Sequence, residues 1–195
     1  MADNTSTTEP PPNKLPNVNV YVTGHRLDGK AVLHSKRPVE PTKYDEDQLQ
    51  MAVAWTTSFP SDLNGDADIA AHENKMASGP FGLVSKGGTV LRYVELAPGY
   101  ECMMHRTQSV DYGIVLEGEV LSVLDSGEEY LMKRGDVTVQ RGTMHAWRNP
   151  SATAWSRMIF ALQDCKPLFV DGKRFGEDLG VGHGVVPASG NDVDE

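Results

Sequence analysis

The chain has 195 residues, 39% of them hydrophobic, and a formal net charge of −9. That length suits one domain with tails. The acidic excess excludes nucleic acid and anionic membrane surfaces as partners, because both need clustered cations. No apolar run approaches the roughly 20 residues of a membrane-spanning helix. The N-terminus MADNTSTTEPPPNKLPN lacks the basic-then-apolar order of a secretory leader. A soluble, cytoplasmic protein is expected, with no membrane partner. Cys102 and Cys165 show no CxxC spacing and read as reduced, inert thiols.

Residues 1–17 are polar and proline-rich, a composition expected to stay disordered. VNVYVTGH, from Val18, alternates and is β-branched, so it predicts a strand. DGKAVLH predicts a turn and a second short strand, and QMAVAWTTS, residues 50–58, a third. Residues 59–88 are full of loop formers and predict at most one helical turn near 69–74. Strands and loop together make a segment, 18–88, expected to pack on the core that follows.

From Thr89 the pattern sharpens. TVLRYVELAPG predicts a strand ended by Pro98-Gly99. Strand-sized segments follow at 101–107, 111–116, 120–124, 129–132, 136–140, 143–147 and 155–162, separated by the turn sequences EGE, DSGEE, KRGD, RG and NPSAT. Short strands at close, even spacing over 89–164 predict a sandwich or barrel. Residues 165–195 are glycine-rich and acidic and predict a flexible or loosely docked tail. Their GVGHG has the wrong spacing and context for a phosphate loop.

The chemistry concentrates in the barrel segment. Gly99 is followed by five residues, His105, one residue, Thr107, three residues, Asp111, six residues and Gly118. Downstream, Gly135-Asp136 precedes Gly142, two residues, His145, three residues and Asn149. Residues two apart on a strand share a face, so His105 and Thr107 point the same way. Asp111 begins the next strand and can return beside them, while His145 comes from another hairpin. Two imidazoles and one carboxylate make the facial set of non-haem iron and also a plausible catalytic zinc set. Met103 shares a face with His105, and Trp147 with His145, so both can wall a substrate pocket. Alternation sends Arg106, Tyr112, Met104 and Met144 away. Each residue also has a plain structural role open to it: His145 as a core histidine satisfied by Asn149, His105 at a rim, Asp111 anchoring a turn. His25, His34, His72 and His183 read as surface or loop residues.

Both blocks resemble the cupin superfamily, whose first motif is glycine, five residues, His-x-His, three or four residues, Glu, six residues, Gly. Its second is glycine, five residues, Pro-x-Gly, two residues, His, three residues, Asn. The resemblance spans about residues 89–162. It departs at Thr107, where a second histidine is usual, at Asp111 for glutamate, at Gln140 for proline, and in a gap from Gly135 one residue short. The resemblance implies an all-β, single jelly-roll cupin barrel. It further implies a divalent metal (iron, manganese or zinc) on His105, Asp111 and His145. The same three residues would be catalytic, with Met103, Thr107 and Trp147 toward the substrate. Single-domain cupins often pair, and the N-terminal strands need a partner edge, so a homodimer is expected.

The wording HRTQSVDYGIVLEGEV together with GDVTVQRGTMHAWRN is similar to small single-domain cupins. These include cupin-domain proteins of fungal polyketide clusters of the salicylaldehyde type, described as oxidoreductases. This implies a metal-dependent enzyme tailoring an oxygenated small metabolite. A dehydratase, isomerase or decarboxylase, by metal or by metal-free acid–base chemistry, and a non-catalytic ligand-binding cupin are the alternatives. No helix-turn-helix accompanies the barrel, which argues against a ligand-sensing transcription factor.

Overall fold

Wherever side chains alternate between apolar and polar, the chain forms strands. The computed structural model describes residues 9–180 and 186–191; residues 1–8 and His183, both subjects of expectations above, lie outside them. The first strands are β1 (Asn19–His25), β2 (Ala31–Pro38), β3 (Thr42–Tyr44) and β4 (Leu49–Ser58), followed by helix α1 (Ala67–Ala77). The barrel segment holds β5 (Gly88–Leu96), β6 (Ser109–Glu117), β7 (Glu119–Leu124), β8 (Glu129–Lys133), β9 (Val137–Arg141), β10 (His145–Arg148) and β11 (Ser156–Asp164). Two short strands, β12 (Leu168–Val170) and β13 (Lys173–Phe175), close the described elements.

A six-stranded sheet runs β3-β4-β5-β11-β6-β9, and a three-stranded sheet runs β10-β7-β8. All pairings are antiparallel. The inner faces share one core, in which Val120, Met132 and Trp147 of the smaller sheet meet Val90, Leu96, Met158 and Phe160 of the larger. This is the expected all-β jelly roll, built as two facing sheets rather than a continuously hydrogen-bonded ring. Gly118, at φ 72°, makes the tight β6–β7 turn. Gly113 serves packing instead: a Cβ there would stand 2.6 Å from the Phe160 ring. Among the described residues no helix is long and apolar enough to cross a membrane.

Four expectations are corrected. The segment expected to hold at most one helical turn carries α1, eleven residues long. The helix docks Ile69 and His72 against β4, with His72 stacked on Trp55 and its Nδ1 2.9 Å from the Thr56 hydroxyl. A histidine stands where a core aliphatic would have marked the periodicity, so the apolar pattern was too sparse to read. His72 is accordingly a buried residue, 4% exposed, and not a surface one; His25 and His34 are exposed, on the β1–β2 hairpin.

The stretch 101–107 is not a continuous strand. It follows β10 through the isolated bridges Glu101↔Arg148 and His105↔His145. The register slips by one residue between them, which interrupts the ladder.

Parts of both tails are packed. Asn13 donates to Gln50 and Glu95, and the Trp155 indole donates to the Pro11 carbonyl at 2.8 Å. At the C-terminal side Arg106 and Asp178 exchange backbone hydrogen bonds, and Asn191 donates to the Gln108 carbonyl and to Asp164. Leu179 is 1% exposed, and it joins the core with Val186. Glycine and acidic residues hid this, because the anchoring is done by backbone groups, the Asn191 side-chain amide and two apolar side chains. Leu179→Ala is therefore expected to cost about 2–4 kcal/mol, as deletion of a buried leucine does. Urea unfolding checks it; an unchanged midpoint would return this segment to the surface.

Candidate functional site

Antiparallel pairing places the site. His105 and His145 face each other as a hydrogen-bonded bridge, N to O distances 2.8 and 2.9 Å. Their ring centroids are 4.3 Å apart. Each ring is oriented the same way: His105 Nδ1 lies 2.9 Å from the Met103 carbonyl, and His145 Nδ1 2.9 Å from the Thr143 carbonyl. A carbonyl only accepts, so each Nδ1 carries the proton and each Nε2 keeps its lone pair. Burial holds both rings below the usual histidine range, His145 to about 3, and the neighbouring His105 charge adds to the effect on His145. Both are therefore neutral at pH 7.

Asp111, 3% exposed, sits on the inner face of β6. Desolvation pushes its carboxyl up to about 7, although hydrogen bonds from Ser109 and Thr107 pull the other way. Thr107 Oγ lies 2.7 Å from Ser109 Oγ and donates a long bond, 3.5 Å, to Asp111 Oδ2. Asp111 Oδ1 is buried with no partner. Asn149 is not the partner of His145: its amide donates to the Leu96 and Ala154 carbonyls and braces the turn into β11.

All six residues singled out from the sequence, Met103, His105, Thr107, Asp111, His145 and Trp147, line one cavity of about 190 Å³. An apolar cavity of roughly 150 Å³ accepts a benzene ring, so this one suits a single-ring body with substituents. Leu49, Val94, Leu96, Phe160 and Leu162 make its walls, and Val186 of the C-terminal segment closes part of it. Sequence reasoning missed Ser109, Arg92 and Cys102. Ser109 shares the Thr107 face and was findable by alternation. Cys102 enters through the register slip; its thiol takes the Trp147 N–H and burial pushes it up to about 12, so it is inert. The mouth carries Tyr100, whose hydroxyl bonds Asp45.

In donor chemistry the set suits a divalent metal, with two neutral imidazoles and a carboxylate oxygen left free. In position it is not a preformed three-ligand site. Among the described residues no three His, Cys, Asp or Glu side chains converge at coordinating separation.

Comparison with known proteins agrees with the architecture. Residues 92–160 match the family model described as Cupin domain. Phomopsin biosynthesis cluster protein D of Diaporthe leptostromiformis is 44% identical over 89% of this chain and 92% of its own. Oryzines biosynthesis cluster protein J of Aspergillus oryzae is 42% identical, over 87% and 96%. The cupin-domain-containing oxidoreductase fogC of Aspergillus ruber is 38% identical, over 82% and 79%. With the motif spacing, the two facing sheets and relatives alike over nearly their whole length, this chain belongs to the cupin-domain family.

Proposed function

We propose that this protein is a cupin oxidoreductase that tailors an oxygenated, largely apolar small metabolite inside the cavity, of the kind polyketide-type pathways make. The observation that carries the reading is the paired histidine lock: two neutral imidazoles, each fixed through Nδ1, present Nε2 lone pairs side by side. Relatives named as oxidoreductases and as biosynthesis cluster proteins support the same direction. In this reading His105 and His145 hold a divalent metal (iron, manganese or zinc), and Asp111 supplies the anionic donor. Bound there, the metal would polarise a substrate oxygen and supply the redox centre an oxidation needs, which points to iron or manganese over zinc. The residues themselves orient and desolvate: the Thr107–Ser109 pair steadies Asp111, and Met103 and Trp147 exclude water.

Elemental analysis of the purified protein is the test. About one metal per chain is expected, and His145→Ala should lose most of it; a metal-free protein would sink the metal reading. Thr107→His places a third imidazole on the same face and should slow metal loss to a chelator at least about tenfold. Unchanged retention would mean that Thr107 does not face the metal.

One observation favours a second reading. Asp111 is held toward Thr107 and Ser109 rather than gathered with the histidines. In metal-free acid–base chemistry Asp111 would be the base. Chelator-treated protein should then still exchange the acidic carbon-bound proton of an aryl ketone with D2O, an exchange lost in Asp111→Asn.

The same reading holds the protein to be a cytoplasmic homodimer. Among the described residues the β1–β2 hairpin pairs only with itself, and it exposes Tyr21, 59%, and Leu33. A lone two-stranded hairpin is marginal in water, so a second copy is the proposed cover. The double variant Tyr21→Lys/Leu33→Lys should run as a monomer in light scattering.

A further inference from the structure

Arg92 has no part in the reading above, yet its side chain lines the same cavity. It stands on the inner face of β5, between Val90 and Val94, and is 5% exposed. Among the described residues its guanidinium donates one hydrogen bond, from Nη2 to the Gly82 carbonyl at 3.0 Å. Its Nε is buried with no partner among the described residues, and no described carboxylate stands within salt-bridge distance of it. Burial lowers the guanidinium only to about 10, so it stays charged at neutral pH.

A buried cation without a counter-charge is costly, and structures avoid it unless an anion is supplied. The cavity does not supply one from its own walls. Asp45 is exposed at the mouth, bonded to Tyr100. Asp111 lies two strands away, because β5 pairs with β11 and β11 with β6. Arg92 pairs with Phe160 and Phe160 with Gly113, whereas Asp111 belongs to the next row, Val90–Leu162–Asp111. Two strand spacings and one two-residue step put the Arg92 and Asp111 backbones about 12 Å apart. Between them lie the apolar surfaces of Phe160 and Leu162, and the Phe160 ring has its room because Gly113 carries no side chain.

We propose that Arg92 recognises a carboxylate on the substrate, so that the protein acts on an apolar acid held with its carboxylate on the guanidinium and its reacting end toward His105, His145 and Asp111. The inference rests on the reading of this cavity as the substrate site. The free Nε–H and the remaining guanidinium hydrogens form the planar fork that matches a carboxylate. A body of one ring and a short chain spans the apolar floor. An acid bound this way completes the missing ion pair, whereas a neutral analogue leaves the guanidinium buried and unpaired.

The test uses cinnamate and its neutral counterpart cinnamamide as probes, by calorimetry on the full chain at pH 8. The wild type should bind the acid at least about tenfold more tightly than the amide. Arg92→Met should erase that preference by weakening the acid alone. It should also leave the melting temperature of the free protein unchanged or higher, since it removes a buried unpaired charge. Equal affinity of the wild type for acid and amide overturns the proposal without any variant. A lowered melting temperature with the acid preference intact also overturns it, and assigns Arg92 to bracing Gly82. Metal content measured on the same sample reports on the function proposed above and does not enter this comparison, so either can fail without the other.

Discussion

Asp111→Asn is expected to make the chelator-treated protein more stable above pH 7 and to lower the activity of the untreated protein. The carboxyl is desolvated and one of its oxygens has no partner, which together hold it up near 7. The sign follows from proton counts. Between the ordinary aspartate value and about 7 the folded protein keeps a proton that the unfolded chain has lost. Stability therefore falls as pH rises through this window and levels off above it. Moving a carboxyl from about 3.9 to about 7 corresponds to about 4 kcal/mol at full ionisation, an upper figure. Asparagine resembles the neutral acid in shape and carries no charge to desolvate. Its advantage should be absent near pH 4 and reach several kcal/mol by pH 8, roughly 5–10 °C in Tm for a chain of this size. Thermal melts of both proteins from pH 4 to 8 measure this. Parallel curves would mean that Asp111 is not desolvated. A gain of stability with loss of activity is what a strained functional group gives, and a plain structural aspartate does not.

Glu95→Ala is expected to cost about 3–5 kcal/mol, the loss that follows when one partner of a buried ion pair is removed. Arg157 reaches Glu95 Oε1 through Nε at 2.6 Å and Nη2 at 2.5 Å, and both residues are buried. The second carboxylate oxygen accepts from Asn13 at 2.5 Å, so the pair also holds the N-terminal segment on the sheet. Truncating Glu95 leaves the buried guanidinium without its counter-charge. Replacing both partners, as Glu95→Leu with Arg157→Met, should recover most of the loss, because the remaining surface can pack without charge. Denaturant unfolding of the two variants separates the cases. A mild single loss would show that water reaches Arg157. Faster proteolysis near residue 13 in Glu95→Ala would confirm the tie to the N-terminal segment.

The two largest effects come from residues of different legibility. Asp111 stood out at motif spacing, but its protonation did not, because desolvation depends on what covers it. Glu95 and Arg157 are 62 positions apart. Each looked like an ordinary charge on an alternating strand, and only the β5–β11 pairing makes them a buried pair.

Local pattern determined much of this protein. Period-two alternation, with glycine, proline and asparagine turns, marked β1, β2 and β4 to β11, because strand faces are set by neighbours along the chain. Motif spacing and strand alternation named six of the residues that line the cavity, for His105, Thr107 and Asp111 are brought together by one short turn and His145 by pairing nearby. Tertiary structure alone decided the rest. Helix α1 exists because His72 finds Trp55 and Thr56, a polar core position that no apolar periodicity reveals. Pro11, Asn13 and Asn191 are held by partners more than 30 residues away: Trp155 for Pro11, Gln50 for Asn13 and Gln108 for Asn191. Arg92 read as an ordinary strand residue, until the fold closed a cavity over its guanidinium and left it without an anion. Alternation tells which face a residue takes; what that face meets is set by pairings far along the chain.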